Sequence, residues 1–311
     1  MSEQRTKNQH YVPQFYLRHF SADKKMVYVF DKPNGRSFPR KIASVASTDY
    51  FYEIDPKRLK PGAPPQLIEK GLAELEGHYS KDLTDFLASA DQRRLITDDH
   101  KAFLASFVAL QETRTNEFRT KYQQAMVGML ESVKPFFEHA SNKQELTDAI
   151  AAASDSEEMK IEQANSMFGD LGRRIEEEIK KFYWLVGKTT DYNPFYASDS
   201  PLIRIPHVRH PFWGTGGIAS PGVELAFPLS SKYILVMYER SYHKNAAMVD
   251  RLVVDLDPED VNRYNFLQTL ECNRQVYSAS DSFAIAQRAI AEHPKCREVD
   301  RSRVLINGEE V

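Results

Sequence analysis

Two long stretches with helical periodicity occupy the middle of the chain and constrain its fold more than any other feature. Residues 66–87 and 97–140 carry apolar side chains close to every 3.6 residues, the spacing that gives a helix one apolar face. Thr97 or Asp98 fits the N-cap position of the second helix. A third helix is predicted at about 172–186. The middle of the chain is therefore expected to be helical.

Strand-like runs lie on either side of these helices. Residues 26–32 are rich in β-branched and aromatic side chains, the turn at 33–36 contains Asn-Gly, and residues 37–40 can form the return strand of a hairpin. Residues 49–55 predict another strand. From Tyr192 onward, short β-rich runs broken by Pro and Gly predict three or four strands, most simply in one antiparallel sheet.

These elements predict an α+β fold, in which long central helices pack with an N-terminal hairpin and a C-terminal, mainly antiparallel sheet. Residues 258–272 and 281–293 return to a helical pattern. No internal repeat is visible, which argues against a solenoid. We expect one structural unit of residues 1–311. Its parts are an N-terminal segment with a hairpin (1–65), a helical part (66–190) and a sheet-rich part with terminal helices (191–311).

The composition narrows the class of protein. A chain of 311 residues with 41% hydrophobic residues can bury a large core. The net charge is −3, so the molecule as a whole does not attract polyanions, and nucleic-acid binding would need a local basic groove. The chain contains only two cysteines, Cys272 and Cys296, in unrelated sequence contexts. They supply neither a disulfide framework nor a CxxC metal site. With no secretory leader and no long apolar run, we expect a cytoplasmic protein without a membrane span.

An arginine on an apolar helix face is the first candidate for a functional group. Gln111 and Arg114 fall on the same face as the apolar stripe of the second predicted helix. A buried guanidinium is costly unless a carboxylate or a ligand anion pairs with it. Glu69 and Glu76 lie seven residues apart on one face of the preceding helix and are the nearest candidates. Two interpretations stay open: an internal ion pair that joins two helices, or a functional site.

Two further residues can be structural or functional. Asp199 follows a predicted strand and precedes a Ser-Pro turn. Its carboxylate can serve catalysis or metal binding at the rim of a sheet, or bond the amides of the turn. His10 lies in an aromatic run that also contains Arg18. Its imidazole can act as a base, as a ligand or as a hydrogen-bonded core residue.

Five short blocks stand out along the chain. In order, they are HYVPQFYLRHF from His10, IEKGLAELEG with Glu69 and Glu76, QETRT with Gln111 and Arg114, ASDSP with Asp199, and FPLSS from Phe227. This series resembles the family called domain of unknown function 4238, and it spans most of the chain. The resemblance implies no activity. It does imply one recurring constellation of His10, Glu69, Glu76, Gln111, Arg114 and Asp199.

The residue types of this constellation can form an active site around one pocket. Asp199 with Glu69 or Glu76 can hold a divalent cation through oxygen ligands. His10 can act as a base or a ligand, and Arg114 can neutralise a phosphate or a carboxylate. The first functional hypothesis is therefore a hydrolase that acts on a phosphodiester or nucleic acid, with or without a metal ion.

Two other hypotheses stay open. The same pocket can hold a small anionic ligand or a protein segment without chemistry, as a binding or sensor module, with the Gly-rich region around Trp213 as its adaptable edge. In the third hypothesis, Arg114, Glu69 and Glu76 form only an internal ion pair and the function lies on another surface.

Overall fold

The fold combines helices from the middle of the chain with strands from both of its ends, which confirms the α+β class. A computed structural model describes residues 5–59, 61, 62, 64, 66–137, 143–208, 217–306, 309 and 310. Trp213 lies outside the described residues. The helices are α1 Gln14–Leu17, α2 Leu67–Asp91, α3 Asp98–Thr113, α4 Asn116–Phe137, α5 Lys143–Ser154, α6 Ser156–Phe168, α7 Asp170–Lys180, α8 Pro258–Glu271 and α9 Ala284–Glu292. The strands are β1 Asn8–His10, β2 Met26–Asp31, β3 Arg36–Lys41, β4 Ser47–Asp49, β5 Tyr183–Lys188, β6 Ala197–Ser198, β7 Ile203–Pro206, β8 Val223–Pro228, β9 Tyr233–Tyr238, β10 Val253–Asp255, β11 Gln275–Ser278, β12 Leu305–Ile306 and β13 Glu309–Glu310.

The single long helix predicted at 97–140 is wrong, because the chain breaks into α3 and α4. Thr97 caps α3 as predicted, since its Oγ1 accepts the N–H of His100 at 3.2 Å. At the break, the Oγ1 of Thr115 accepts the N–H of Phe118 at 3.1 Å. A threonine hydroxyl in this position satisfies a free amide at the start of a helix, so α4 begins anew. Arg114 consequently sits at the C-cap of α3.

The strands form two main sheets. Strands β7, β8 and β9 lie in the predicted C-terminal, mainly antiparallel sheet, whereas β6 joins the sheet of the N-terminal hairpin. The hairpin of β2 and β3 is confirmed, and it continues antiparallel into β11 and β6. The other sheet has the order β10-β5-β9-β8-β7, in which only the pair β10 and β5 is parallel. Strand β5 falls where the third helix was predicted to end. Of the strand predicted at 49–55, only Asp49 is in a strand.

The largest core cluster lies between the helices and the five-stranded sheet, and the N-terminal segment is part of it. Phe107 of α3 packs edge-on against Phe227 of β8, with ring centroids 5.7 Å apart. Tyr16 of α1 packs against both rings and donates a hydrogen bond to the carbonyl of Pro228 at 2.7 Å. The aromatic N-terminal run is thus fixed to the centre of the molecule. Within the described part of the chain, no helix is long and apolar enough to cross a membrane.

Candidate functional site

A polar cavity of about 580 Å³ lies between the N-terminal segment and α2. Gln14 and Arg18 lie four residues apart and share the face of the N-terminal segment that points away from the core. Helix α2 forms the opposite wall with Glu69, Glu76 and Ser80. These residues are seven and four positions apart and therefore share one helix face. The polar lining comes from Thr6, Asn8, His10, Gln14, Arg18, Glu69, Glu76 and Ser80.

Arg114 is not part of the cavity lining, but its guanidinium bonds to a residue on each of the two walls. The side chain of Arg114 is 1% exposed, and its Nη2 donates to Oε1 of Glu76 at 2.8 Å and to the carbonyl of His10 at 2.7 Å. The hydroxyl of Tyr52 donates to the Arg114 carbonyl at 2.8 Å. The predicted carboxylate partner is therefore confirmed for Glu76. Because one guanidinium binds both α2 and β1, it also fixes the position of His10.

The two carboxylates of α2 have different surroundings. Glu76 is ion-paired with Arg114, whereas Glu69 forms no hydrogen bond or ion pair with any residue that the structure describes. Burial raises the pKa of Glu69 above its ordinary value, the charge of Glu76 adds to this rise, and Arg114 opposes it.

His10 presents an unpaired nitrogen atom. Its Nε2 is buried and has no hydrogen-bond partner among the described residues. Burial lowers the pKa of His10 below its ordinary value, although the charge of Glu76 opposes this effect. The imidazole is therefore mainly neutral near pH 7. Its Nε2 can accept a proton from a bound molecule or donate one to it.

Arg18 and Gln111 complete the set of predicted residues near the cavity. Arg18 is exposed on the cavity wall, and its guanidinium forms no ion pair or hydrogen bond within the described ranges. Gln111 is fully buried, and its Nε2 donates to the carbonyl of Tyr11 at 2.9 Å. Gln111 therefore positions the backbone next to His10 and does not line the cavity.

Asp199 does not join this group of residues. It lies 3% exposed after β6, and its carboxylate accepts the backbone N–H groups of Asn273, Arg274 and Gln275 at 2.7–2.8 Å. Burial raises the pKa of Asp199 to about 6, against the lowering effect of these amides. Its observed contacts are those of a residue that fixes the turn before β11. In the described part of the chain, no three His, Cys, Asp or Glu residues are placed to hold a metal ion. The structure therefore does not assemble the predicted metal-binding set of Glu69, Glu76 and Asp199.

Of the eleven lining residues, the sequence predicted His10, Arg18, Glu69 and Glu76 as site residues, and it did not predict the other seven. Gln14 lies one helical turn before Arg18, and Ser80 lies one turn after Glu76, so helical spacing could have identified both. Gly77 also lines the cavity, and a Cβ atom added there would meet nothing within 4 Å. A glycine in a helix costs stability, so this position was a further signal that sequence reasoning left unused.

Fold and cavity together define the class: an α+β protein with a polar cavity formed by its N-terminal segment and its first long helix. The family model described as "protein of unknown function (DUF4238)" matches residues 8–282. The chain belongs to this family, as the resemblance of the five blocks predicts. No curated protein and no solved structure matches the chain.

Proposed function

We propose that the cavity is the active site of a hydrolase that cleaves phosphodiesters by general acid–base catalysis. One observation carries this proposal. His10 and Glu69 line the same cavity, and neither the buried Nε2 of His10 nor the Glu69 carboxyl group has a hydrogen-bond partner among the described residues. Burial lowers the pKa of His10 and raises that of Glu69. A neutral imidazole suits a base, and a carboxyl group with a raised pKa suits an acid.

The proton balance of the proposed reaction is simple. His10 takes a proton from water as the water oxygen bonds to phosphorus. Glu69 gives its proton to the leaving oxygen as the ester bond breaks, and the proton on His10 then returns to Glu69 through solvent. Arg18 supplies the positive charge that a phosphate group requires. Arg114 acts as a positioning residue, since it holds His10 through the backbone and Glu76 through the side chain.

A divalent cation is compatible with this proposal. Mg²⁺ is usually held by one or two carboxylates together with substrate phosphates and water. Glu69 and Glu76 offer two carboxylates on one wall of the cavity. The assays therefore compare added Mg²⁺ with a chelator.

The test is hydrolysis of bis(4-nitrophenyl) phosphate and of labelled RNA and DNA oligonucleotides. We expect His10→Ala and Glu69→Gln to lower kcat by about 100-fold or more, because each removes a proton-transfer group. Glu74→Gln is the matched control, since Glu74 is exposed on the same helix and does not line the cavity. The pH profile should be bell-shaped, falling at low pH as His10 is protonated and at higher pH as Glu69 ionises.

Gly77→Leu tests the cavity independently of its titratable groups. A leucine side chain there would extend into the cavity, because nothing lies within 4 Å of an added Cβ. Leucine also suits a helix better than glycine, so the fold should persist while turnover is lost. Absence of turnover in the wild-type protein on every phosphodiester, with and without Mg²⁺, would overturn the proposal. A ligand that binds the wild type but not Gly77→Leu, without turnover, would instead indicate a binding module.

A further inference from the structure

A strongly basic stretch of the chain lies next to the cavity. Residues 18–41 contain seven Lys and Arg residues but only two Asp residues and no Glu, in a chain whose net charge is −3. Six of these cations are exposed. Arg18 lines the cavity, and we call the other five the basic hairpin face. Its members are Lys24, Lys25, Arg36, Arg40 and Lys41.

The charge of the basic hairpin face is not neutralised by neighbouring carboxylates. None of its five members forms an ion pair with a carboxylate among the residues that the structure describes. The two aspartates of residues 18–41 accept hydrogen bonds from groups other than these five side chains. Asp23 accepts the backbone N–H groups of Lys25 and Met26, and Asp31 is bonded to the guanidinium of Arg274. The five cations are thus free to bind anions.

The hairpin places part of this charge along one strand, where Arg36 and Arg40 point to the same side of the sheet and Lys41 to the other. Strand β3 is the edge strand of its sheet, and its six residues extend over roughly 20 Å. The guanidinium of Arg40 lies over the ring of Phe38, 4.5 Å from the centroid. A flat cation stacked on an aromatic ring offers a surface on which a nucleic-acid base can stack. The edge therefore carries both phosphate-binding and base-stacking groups.

The basic hairpin face leads directly to the cavity. Lys41 ends β3, and the next turn contains Ala43, which lines the cavity. The N–H of Ile42 in this turn donates to the carbonyl of Lys25 at 2.9 Å, which places Lys25 beside the same turn. Arg18 continues the positive charge on the cavity wall.

We propose that the basic hairpin face binds the backbone of a single-stranded nucleic acid and leads it into the cavity. The cleavage of that strand rests on the proposed function, whereas its binding does not. A cavity of about 580 Å³ accommodates one nucleotide but not a duplex. The large exposed apolar residues of the described chain all lie outside residues 18–41, so this face lacks the apolar anchors of a membrane-binding surface.

Fluorescence anisotropy with labelled single-stranded RNA and DNA tests the proposal. The background is His10→Ala, which leaves the basic hairpin face intact and prevents cleavage. We expect the triple variant Arg36→Gln, Arg40→Gln, Lys41→Gln to bind about tenfold more weakly at low salt. The slope of log K against log salt should fall by about 2, since each phosphate contact on a single strand contributes about 0.7.

The matched control removes the same charge from another part of the surface. Lys57→Gln, Arg94→Gln, Lys244→Gln alters three exposed cations outside the basic hairpin face and should change Kd by less than about twofold. Equal weakening by both triple variants would overturn the proposal, because it would indicate only a net-charge effect. If the hairpin triple variant fails to fold, Arg40→Gln replaces it, and unchanged binding by that variant counts against the proposal.

Three further outcomes separate this inference from its alternatives. No binding of any oligonucleotide by the wild type or by His10→Ala at low salt would overturn it, even if small phosphodiesters are hydrolysed. Binding to phosphatidylserine vesicles without oligonucleotide binding would overturn it in favour of a membrane surface. Oligonucleotide binding that depends on the hairpin, with no hydrolysis of any substrate, would support the inference and overturn the hydrolase.

Discussion

His19, in the N-terminal segment, is a histidine whose protonation is changed by burial. Burial lowers the pKa of His19 to about 4, and the nearby charge of Lys24 adds to this effect. In the unfolded chain, a histidine keeps its ordinary pKa of about 6.5. The folded state therefore binds fewer protons than the unfolded state between these two values, and stability must fall as the pH falls.

The pH dependence of stability tests His19. Its contribution is fully present above about pH 6.5 and is lost as the pH falls toward 4. We expect His19→Asn to reduce the loss of unfolding free energy between pH 7 and 4.5 by about 1–3 kcal/mol, because the ring keeps some contact with water. Urea unfolding of both proteins at each pH measures this difference. Parallel pH curves for the two proteins would contradict the prediction.

The site residues that could be predicted from sequence are those with a local signal. The partnership of Arg114 and Glu76 followed from a cation on an apolar helix face and carboxylates on a neighbouring helix. Asp199 had no comparable signal. Its three amide donors lie more than 70 residues further along the chain, and no local pattern identifies which distant turn a strand end will meet.

Among the secondary-structure elements, the break between α3 and α4 has the most direct consequence for the site. Periodicity predicted one helix here, because Phe118 and Tyr122 continue the apolar pattern of α3. The helix instead ends before Thr115, and α4 begins after it, because the Thr115 hydroxyl accepts the N–H of Phe118. Arg114 can reach Glu76 and His10 from the end of α3, where the backbone leaves the helix.

Thr115→Ala tests the cap at this break. Loss of an N-cap hydroxyl costs about 0.5–2 kcal/mol, and we expect a decrease of this size in the unfolding free energy by chemical denaturation. Thr120→Ala is the matched control, because the Thr120 hydroxyl only bonds the Asn116 carbonyl within α4. Equal effects of the two substitutions would show that the Thr115 hydroxyl has no capping role.

At the scale of the whole molecule, the C-terminal segment is tied to α4 by a buried ion pair. The Nε of Arg303 donates to Oε2 of Glu117 at 2.8 Å, and both side chains are 2% exposed. Arg303 also donates to the side chain of Asn273 at 3.2 Å. Arg303 lies after the residues that the family model matches, so the family blocks alone could not predict this contact.

A double-mutant cycle tests this ion pair. Arg303→Met should lower the unfolding free energy by about 3–5 kcal/mol, because it leaves the buried carboxylate of Glu117 without its closest partner. Adding Glu117→Gln should recover part of that loss, since the unpaired charge is then gone. Additive effects of the two substitutions in denaturant titrations would show that the two side chains are not energetically coupled.

The sheet that contains the hairpin joins the two ends of the chain. Asp31 of β2 pairs with Gln275 of β11, and Tyr16 reaches Pro228. During synthesis, the lining of the cavity therefore leaves the ribosome long before the strands that complete its support. Tyr16 and β2 can meet these partners only after more than 200 further residues have been made. The fold consequently depends on long-range contacts to complete its earliest-made part, and contacts of this kind slow folding.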